Sequence, residues 1–157
     1  GCRNRGPKER LDISFAKDIM ISNIVADDVD SLAGIIVTGM KDVPLRNISF
    51  NNIRIQYRGG GTRDLGNKSY REQSTNYPEP KFAKETPAYG LFARYVDGLD
   101  VNNVSFSVEF PDYRPAVILD NVKNVSINNL QAFVEYSVPK IKTRNVKNVK
   151  VDGLSFR

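Results

Sequence analysis

Hydrophobic positions along this chain recur with the steps 3, 2, 3, 2. The copies are Ala16-Ile19-Ile21-Ile24-Ala26, Leu45-Ile48-Phe50-Ile53-Ile55, Val96-Leu99-Val101-Val104-Phe106, Val122-Val125-Ile127-Leu130-Ala132 and Val146-Val149-Val151-Leu154-Phe156. A step of two keeps side chains on one face of a strand. A step of three breaks that register, so the chain turns a corner while its apolar residues stay inside. A helix would alternate three and four. Each copy therefore predicts strand, corner, strand.

The polar positions agree. The residue before the fourth apolar position is in turn Asn23, Asn52, Asn103, Asn129 and Gly153. Asn and Gly enter the left-handed conformation of a tight corner most readily, and stacked asparagine amides can bond from tier to tier. A second column of turn formers is Asp18, Asn47, Gly98, Asn124 and Asn148. Between the copies lie further strand-like runs: Gly34-Ile35-Ile36-Val37, Gly90-Leu91-Phe92-Ala93, Ala116-Val117-Ile118-Leu119 and the weaker Lys140-Ile141-Lys142. Pro115 and Pro139 stand seven residues before their copies, at matching points. Five tiers at the usual strand spacing would stand ~24 Å tall. A leucine-rich repeat is the competing reading, but the Asn falls one position early for it and the connecting stretches show no helical period.

The expected fold is thus all-β, a parallel β-solenoid of about five coils. It forms one domain over residues 1–157, with an irregular charged segment at 1–15. The second and third copies start 51 residues apart, which marks a long loop insertion at 58–87. Gly59-Gly60-Gly61 opens it. With no Lys-Ser or Lys-Thr behind it and no helix expected after it, this is not a phosphate-binding loop. Loops on a rigid scaffold often carry function, and this one holds cations and aromatic faces suited to an acidic sugar chain. Arg58, Arg71, Tyr77, Glu79 and Lys81, with Tyr89 just beyond, are the candidate substrate-binding residues. The bland alternative is a solvated loop held to the wall by Tyr77 and Phe82.

Composition narrows the chemistry. The chain has no histidine and one cysteine, Cys2. That removes Ser–His and Cys–His nucleophile pairs, an internal disulfide and cysteine-based metal sites. No cofactor and no metal site are expected. The net charge of +5 suits an acidic partner, but basic residues do not interleave with aromatics in a stripe, so nucleic acid is not expected. No apolar run reaches the ~18 residues of a membrane span. Gly1-Cys2 could be the mature end of a bacterial lipoprotein, or Cys2 an incidental thiol.

The run Pro44-Leu45-Arg46-Asn47-Ile48-Ser49-Phe50-Asn51-Asn52-Ile53-Arg54-Ile55, followed by Arg58-Gly59-Gly60-Gly61-Thr62, resembles bacterial members of glycoside hydrolase family 28, the polygalacturonases and their rhamnogalacturonan-acting relatives. Tyr77-Pro78-Glu79-Pro80, Pro87-Ala88-Tyr89-Gly90 and Pro111-Asp112-Tyr113-Arg114-Pro115-Ala116 extend the resemblance, which covers about two thirds of the chain. It implies a right-handed single-stranded parallel β-helix of the pectin-lyase-like kind, and a pectin-type substrate hydrolysed with inversion by paired carboxylates. It also implies a periplasmic, outer-membrane lipoprotein or secreted location. The family's Asn-Thr-Asp and Gly-His-Gly motifs are absent. Asp27-Asp28 reads as a solvated loop pair, and Arg54-Ile55-Gln56 and Lys140-Ile141-Lys142 only echo Arg-Ile-Lys. No catalytic residue is assigned. Asp112, Glu109 and Asp120 read as surface or corner residues.

Three functions fit, beside a fourth in which Asp112, Glu109 and Asp120 would serve an active enzyme. The first is a C-terminal, non-catalytic part of such a pectin-acting hydrolase. The second is a stand-alone module for acidic plant polysaccharide. The third is a structural or assembly solenoid, whose open N-terminal end pairs with another copy or with an N-terminal β-helix portion supplied elsewhere.

Overall fold

The computed structural model describes residues 15–31, 33–70, 85–152 and 154–156. Cys2, Arg71, Tyr77, Glu79, Lys81, Phe82 and Gly153 lie outside them, as does nearly all of the irregular segment expected at 1–15.

The described part is all-β apart from one five-residue helix. The strands are β1 (Lys17–Val29), β2 (Ile35–Thr38), β3 (Leu45–Gly59), β4 (Leu91–Phe110), β5 (Val117–Ala132), β6 (Ile141–Arg144), β7 (Lys147–Val151) and β8 (Leu154–Phe156). Helix α1 spans Arg63–Asn67. β1, β3, β4, β5 and β7 pair in that order, each parallel to the next. β2 pairs with the first residues of β4, and β6 with the first residues of β5, also parallel.

The register is the one the hydrophobic steps require. Ile19, Ile48, Leu99, Val125 and Val149 face one another in sequence, as do Ile21, Phe50, Val101, Ile127 and Val151. The shorter runs also align, with Ile35, Leu91, Val117 and Ile141 in one row. All these rows contribute to one apolar cluster. A second, smaller cluster of Ala88, Phe92 and Ile118 has Ile36 and Tyr70 packed against it. Alternation along each strand sends Phe92 to a different cluster from its neighbours Leu91 and Ala93.

The corners form where Asn and Asp permit positive φ. Asn23, Asn52, Asn103 and Asn129 have φ between 52 and 59°. Asp18, Asn47, Gly98, Asn124 and Asn148 form the second left-handed column. From Asn52 onward the side chains of the first column reach the tier before them: Asn52 Nδ2 donates to Asn23 Oδ1 at 3.2 Å, Asn103 Nδ2 to Asn52 Oδ1 at 2.6 Å, and Asn129 Nδ2 to Asn103 Oδ1 at 2.9 Å. A third left-handed column, Tyr95, Asn121 and Asn145, precedes the apolar copies and is absent from the sequence reading.

Three expectations need correction. The fifth copy does not continue as strand, corner, strand. After Val151 the chain folds back, and β8 runs antiparallel to β7 with Val151 opposite Leu154. Asp-Gly between two short strands is the strongest two-residue hairpin signal, and Asp152 takes the left-handed turn with φ 46°. Its carboxylate still accepts from the Asn129 amide at 2.8 Å, so it serves the preceding tier. Second, Asp27-Asp28 belongs to β1, not to a loop. Asp28 is left-handed at an irregularity in the pairing with β3. Third, a helix does follow the triple glycine, because Thr62 caps it by accepting from Leu65 N.

Candidate functional site

The insertion is anchored before it can present anything. Gly59 ends β3 with φ 81°, and a Cβ there would lie 2.2 Å from the Phe110 carbonyl oxygen. Gly61 passes so close to Arg114 that a Cβ would lie 2.1 Å from Nε. Both positions therefore demand glycine.

Beneath them Arg114 and Asp112 form a fully buried ion pair at 2.7 Å. Arg114 Nη1 donates to Thr86 Oγ1 at 3.0 Å and Nη2 to the Ser31 carbonyl at 2.6 Å. Asp112 also accepts from the backbone amides of Gly61 and Arg114, at 3.0 and 2.9 Å. One knot thus ties the start of the insertion (Gly61) and its end (Thr86) to the 112–114 turn. Its donors and acceptors are matched, which a buried charge pair requires.

Further along, Tyr70 lies against Phe92, ring centroids 6.0 Å apart, and its hydroxyl donates to the Glu85 carbonyl. Lys68 pairs with the Glu85 carboxylate. Tyr70 therefore covers the second apolar cluster, the role the sequence had suggested for Tyr77 and Phe82.

Of the proposed substrate-binding residues, two can be placed. Arg58 is exposed but engaged: its Nε and Nη2 donate to Asp28 at 2.6 and 3.0 Å. That contact holds the Asp28 carboxyl below its usual range. Tyr89 is fully buried. Its ring meets Tyr57 edge-on at 6.1 Å and its hydroxyl donates to the Phe133 carbonyl. Burial pushes its phenol well above the ordinary range. Tyr89 is thus a core residue and cannot meet a ligand. Its apolar ring and one satisfied hydroxyl are what the interior of the stack selects.

Of the expected surface carboxylates, Glu109 is exposed as expected and the other two differ. Asp112 is inside the knot. Asp120 accepts from Asn121 at 2.7 Å and faces Arg94 Nε at 3.5 Å, so it is held rather than presented. Among the described residues no group of three or more Asp, Glu, Cys or His is placed to hold a metal, and no helix is long and apolar enough to cross a membrane.

What the fold does present is a notch of about 140 Å³ where α1 meets the turn before β6. Arg63 stands over the Tyr113 ring, 5.5 Å from its centroid, and its Nη2 donates to Ser137 Oγ at 2.7 Å. Across the notch Lys142 Nζ donates to the Gly66 carbonyl at 2.9 Å and to Asn67 Oδ1 at 2.6 Å. Arg144 donates to the Asn67 carbonyl at 3.3 Å. Cations here complement the carbonyl end of α1. Burial, and then the charge of Arg144, lower the Lys142 amine below its usual pKa. Among the described residues none of Arg63, Lys142 and Arg144 has a carboxylate within ion-pair distance. Tyr113 is 42% exposed and Tyr136, whose carbonyl also accepts from Arg63, 95% exposed.

This arrangement combines an open aromatic face, a guanidinium that retains donors, an ammonium and a hydroxyl. It can stack on the apolar face of a sugar ring and bind a carboxylate or sulfate. It contains no acid–base pair. The sequence does not show it because residues 63, 113, 137 and 142 come from separate tiers. No family model, curated protein or solved structure matches the chain.

Proposed function

We propose that this chain is a right-handed parallel β-helix that binds a pectin-type acidic polysaccharide as a non-catalytic, C-terminal part of a glycoside hydrolase-like protein acting outside the cytoplasm. Parallel in-register tiers and recurrent left-handed corners support the coil. The run from Pro44 to Thr62, which resembles glycoside hydrolase family 28, supports the substrate class. The observation that carries the binding role is the notch, where Arg63 and Lys142 flank Tyr113 without a carboxylate partner among the described residues. Titration with oligogalacturonides tests it. Wild-type protein gives saturable heat, and the Arg63→Gln/Tyr113→Ala variant binds at least tenfold more weakly, since an aromatic stacking contact alone contributes about 0.5–1.5 kcal/mol and a charged hydrogen bond about 1.5–3. Unchanged binding in that variant refutes the site. Release of reducing ends above buffer refutes the non-catalytic assignment.

The assembly reading keeps one observation of its own. Among the described strands β1 pairs on one side only, and its inward residues Ile19 and Ile24 are 39% and 37% exposed where their register partners Ile48 and Ile53 are buried. The free edge is a template for a further parallel strand from an upstream β-helix portion.

A further inference from the structure

Away from the notch, the residue just before each second-column corner makes a column across the stack. Lys17 faces Arg46, Arg46 faces Asp97, Asp97 faces Lys123, and Lys123 faces Lys147. Four cations and one carboxylate therefore cross all five parallel strands, ~19 Å from first to last at the usual strand spacing. The lower half of the column opens into a groove of about 320 Å³, the larger of the two concavities described.

Packing does not explain this column. Its cations are exposed, and like charges directly opposite on neighbouring strands are unfavourable. Lys123 and Lys147 nevertheless face each other, and among the described residues neither reaches a carboxylate within ion-pair distance. The one acid of the column, Asp97, is turned to Asn124, whose Nδ2 donates to it at 2.7 Å. The groove wall is the amide stack of Asn121 and Asn145, with Asn145 Nδ2 donating to Asn121 Oδ1 at 2.5 Å. That stack fixes the spacing of the lysines beside it, and Lys41 lines the other side.

We infer that this column is a binding track for a linear polyanionic glycan lying along the stack, its carboxylates or sulfates seated between successive cations. A single small anion would need only one pair of lysines, whereas beyond Asp97, whose carboxylate is held by Asn124, the column resumes with Arg46 and with Lys17, itself 3.5 Å from Asp18. A bound polyanion would relieve the Lys123–Lys147 repulsion. The track stands on its own residues and does not depend on the notch.

The test is affinity measurement at low ionic strength with three polymers, a de-esterified polyuronate, dextran sulfate and uncharged dextran, and with a monomeric uronate and single-stranded DNA as competitors. Wild-type protein should bind one or both charged polymers and not dextran, and binding should weaken as salt rises. The two charged polymers distinguish carboxylate from sulfate. Lys123→Gln/Lys147→Gln should weaken binding roughly three- to thirtyfold, as expected for loss of two exposed ion contacts, and Lys123→Arg/Lys147→Arg should restore it. Arg63→Gln/Tyr113→Ala should retain the track. Unchanged binding in the double glutamine variant overturns the inference, as does a monomeric uronate binding as tightly as the polymer, or single-stranded DNA binding more tightly than either glycan. If only the Arg63/Tyr113 variant loses affinity, the track is wrong and the notch stands.

Discussion

Asp112→Ala is the most informative single change in this chain. It leaves the Arg114 guanidinium buried with only the Thr86 and Ser31 acceptors. It also orphans the Gly61 amide, whose acceptor is Asp112 Oδ2 at 3.0 Å. Removing one member of a buried, hydrogen-bonded ion pair costs about 3–5 kcal/mol. Each kcal/mol shifts the midpoint of a domain this size by about 2–4 °C, so thermal unfolding followed by circular dichroism should move down by roughly 6–20 °C. Removing both charges, as in Asp112→Leu/Arg114→Met, should cost less than the sum of the single changes, because neither variant charge is then left alone. The knot also sets where the damage begins. Hydrogen exchange should accelerate first at Gly61 and Arg114, whose amides donate to Asp112, and only later in the β4–β5 pairing. A midpoint within about 2 °C of wild type would show that the pair contributes little and that the insertion is anchored by something else.

Asn103→Ala should destabilise more than Asn103→Gly, by about 1 kcal/mol in denaturant titrations, because Ala bears the left-handed strain at φ 53° and Gly does not, while both lose the amide contacts to Asn52 and Asn129. Equal losses would mean that the amides matter and the backbone strain does not. Tyr57 and Tyr89 have phenols raised by burial. For both, the folded state holds the proton more tightly than the unfolded chain, so their stabilising effect is complete below the ordinary phenol pKa of about 10 and is lost as pH rises above it. Tyrosinate absorbance should show these two appearing only with alkaline unfolding; full tyrosine ionisation with native circular dichroism retained would refute their burial.

The sequence made the repeat readable because its signals are local. Apolar steps of two and three, and an Asn at each corner, specify strand and turn within a dozen residues, and the observed register follows them from Ile19 to Val149. Two local signals were misread. Asn121 and Asn145 each precede an apolar copy, but Tyr95 occupies the equivalent position in the tier before, and the column is recognisable only when the three φ values are seen together. Asp152-Gly153 keeps the spacing of the repeat, but it is also a strong hairpin dipeptide, and the hairpin wins. The knot and the notch were beyond local reading. Ser31, Gly61, Thr86 and Arg114 have nothing in their spacing to join them, and Tyr89 carries the same aromatic signature whether it packs inward or meets a sugar.

In a stack like this, the inward positions answer to packing and the outward positions to whatever they face. Each outward column can therefore be read separately for what satisfies it. Asn51, Asn102 and Asn128 satisfy one another by amide contacts of 3.2 and 2.8 Å. Ile36, Phe92 and Ile118 are covered by Tyr70. Arg94 and Asp120 neutralise each other. Lys123 and Lys147 repel along their column, and Met20 and Val25 are exposed on β1, which among the described strands pairs on one side only. Those two exceptions differ in kind. Uncovered apolar residues beside unpaired backbone groups call for another strand, whereas facing cations call for an anion. The polyanion track and the β1 edge are therefore separable: charge substitution at Lys123 and Lys147 should alter glycan affinity and leave the oligomeric state seen by light scattering unchanged.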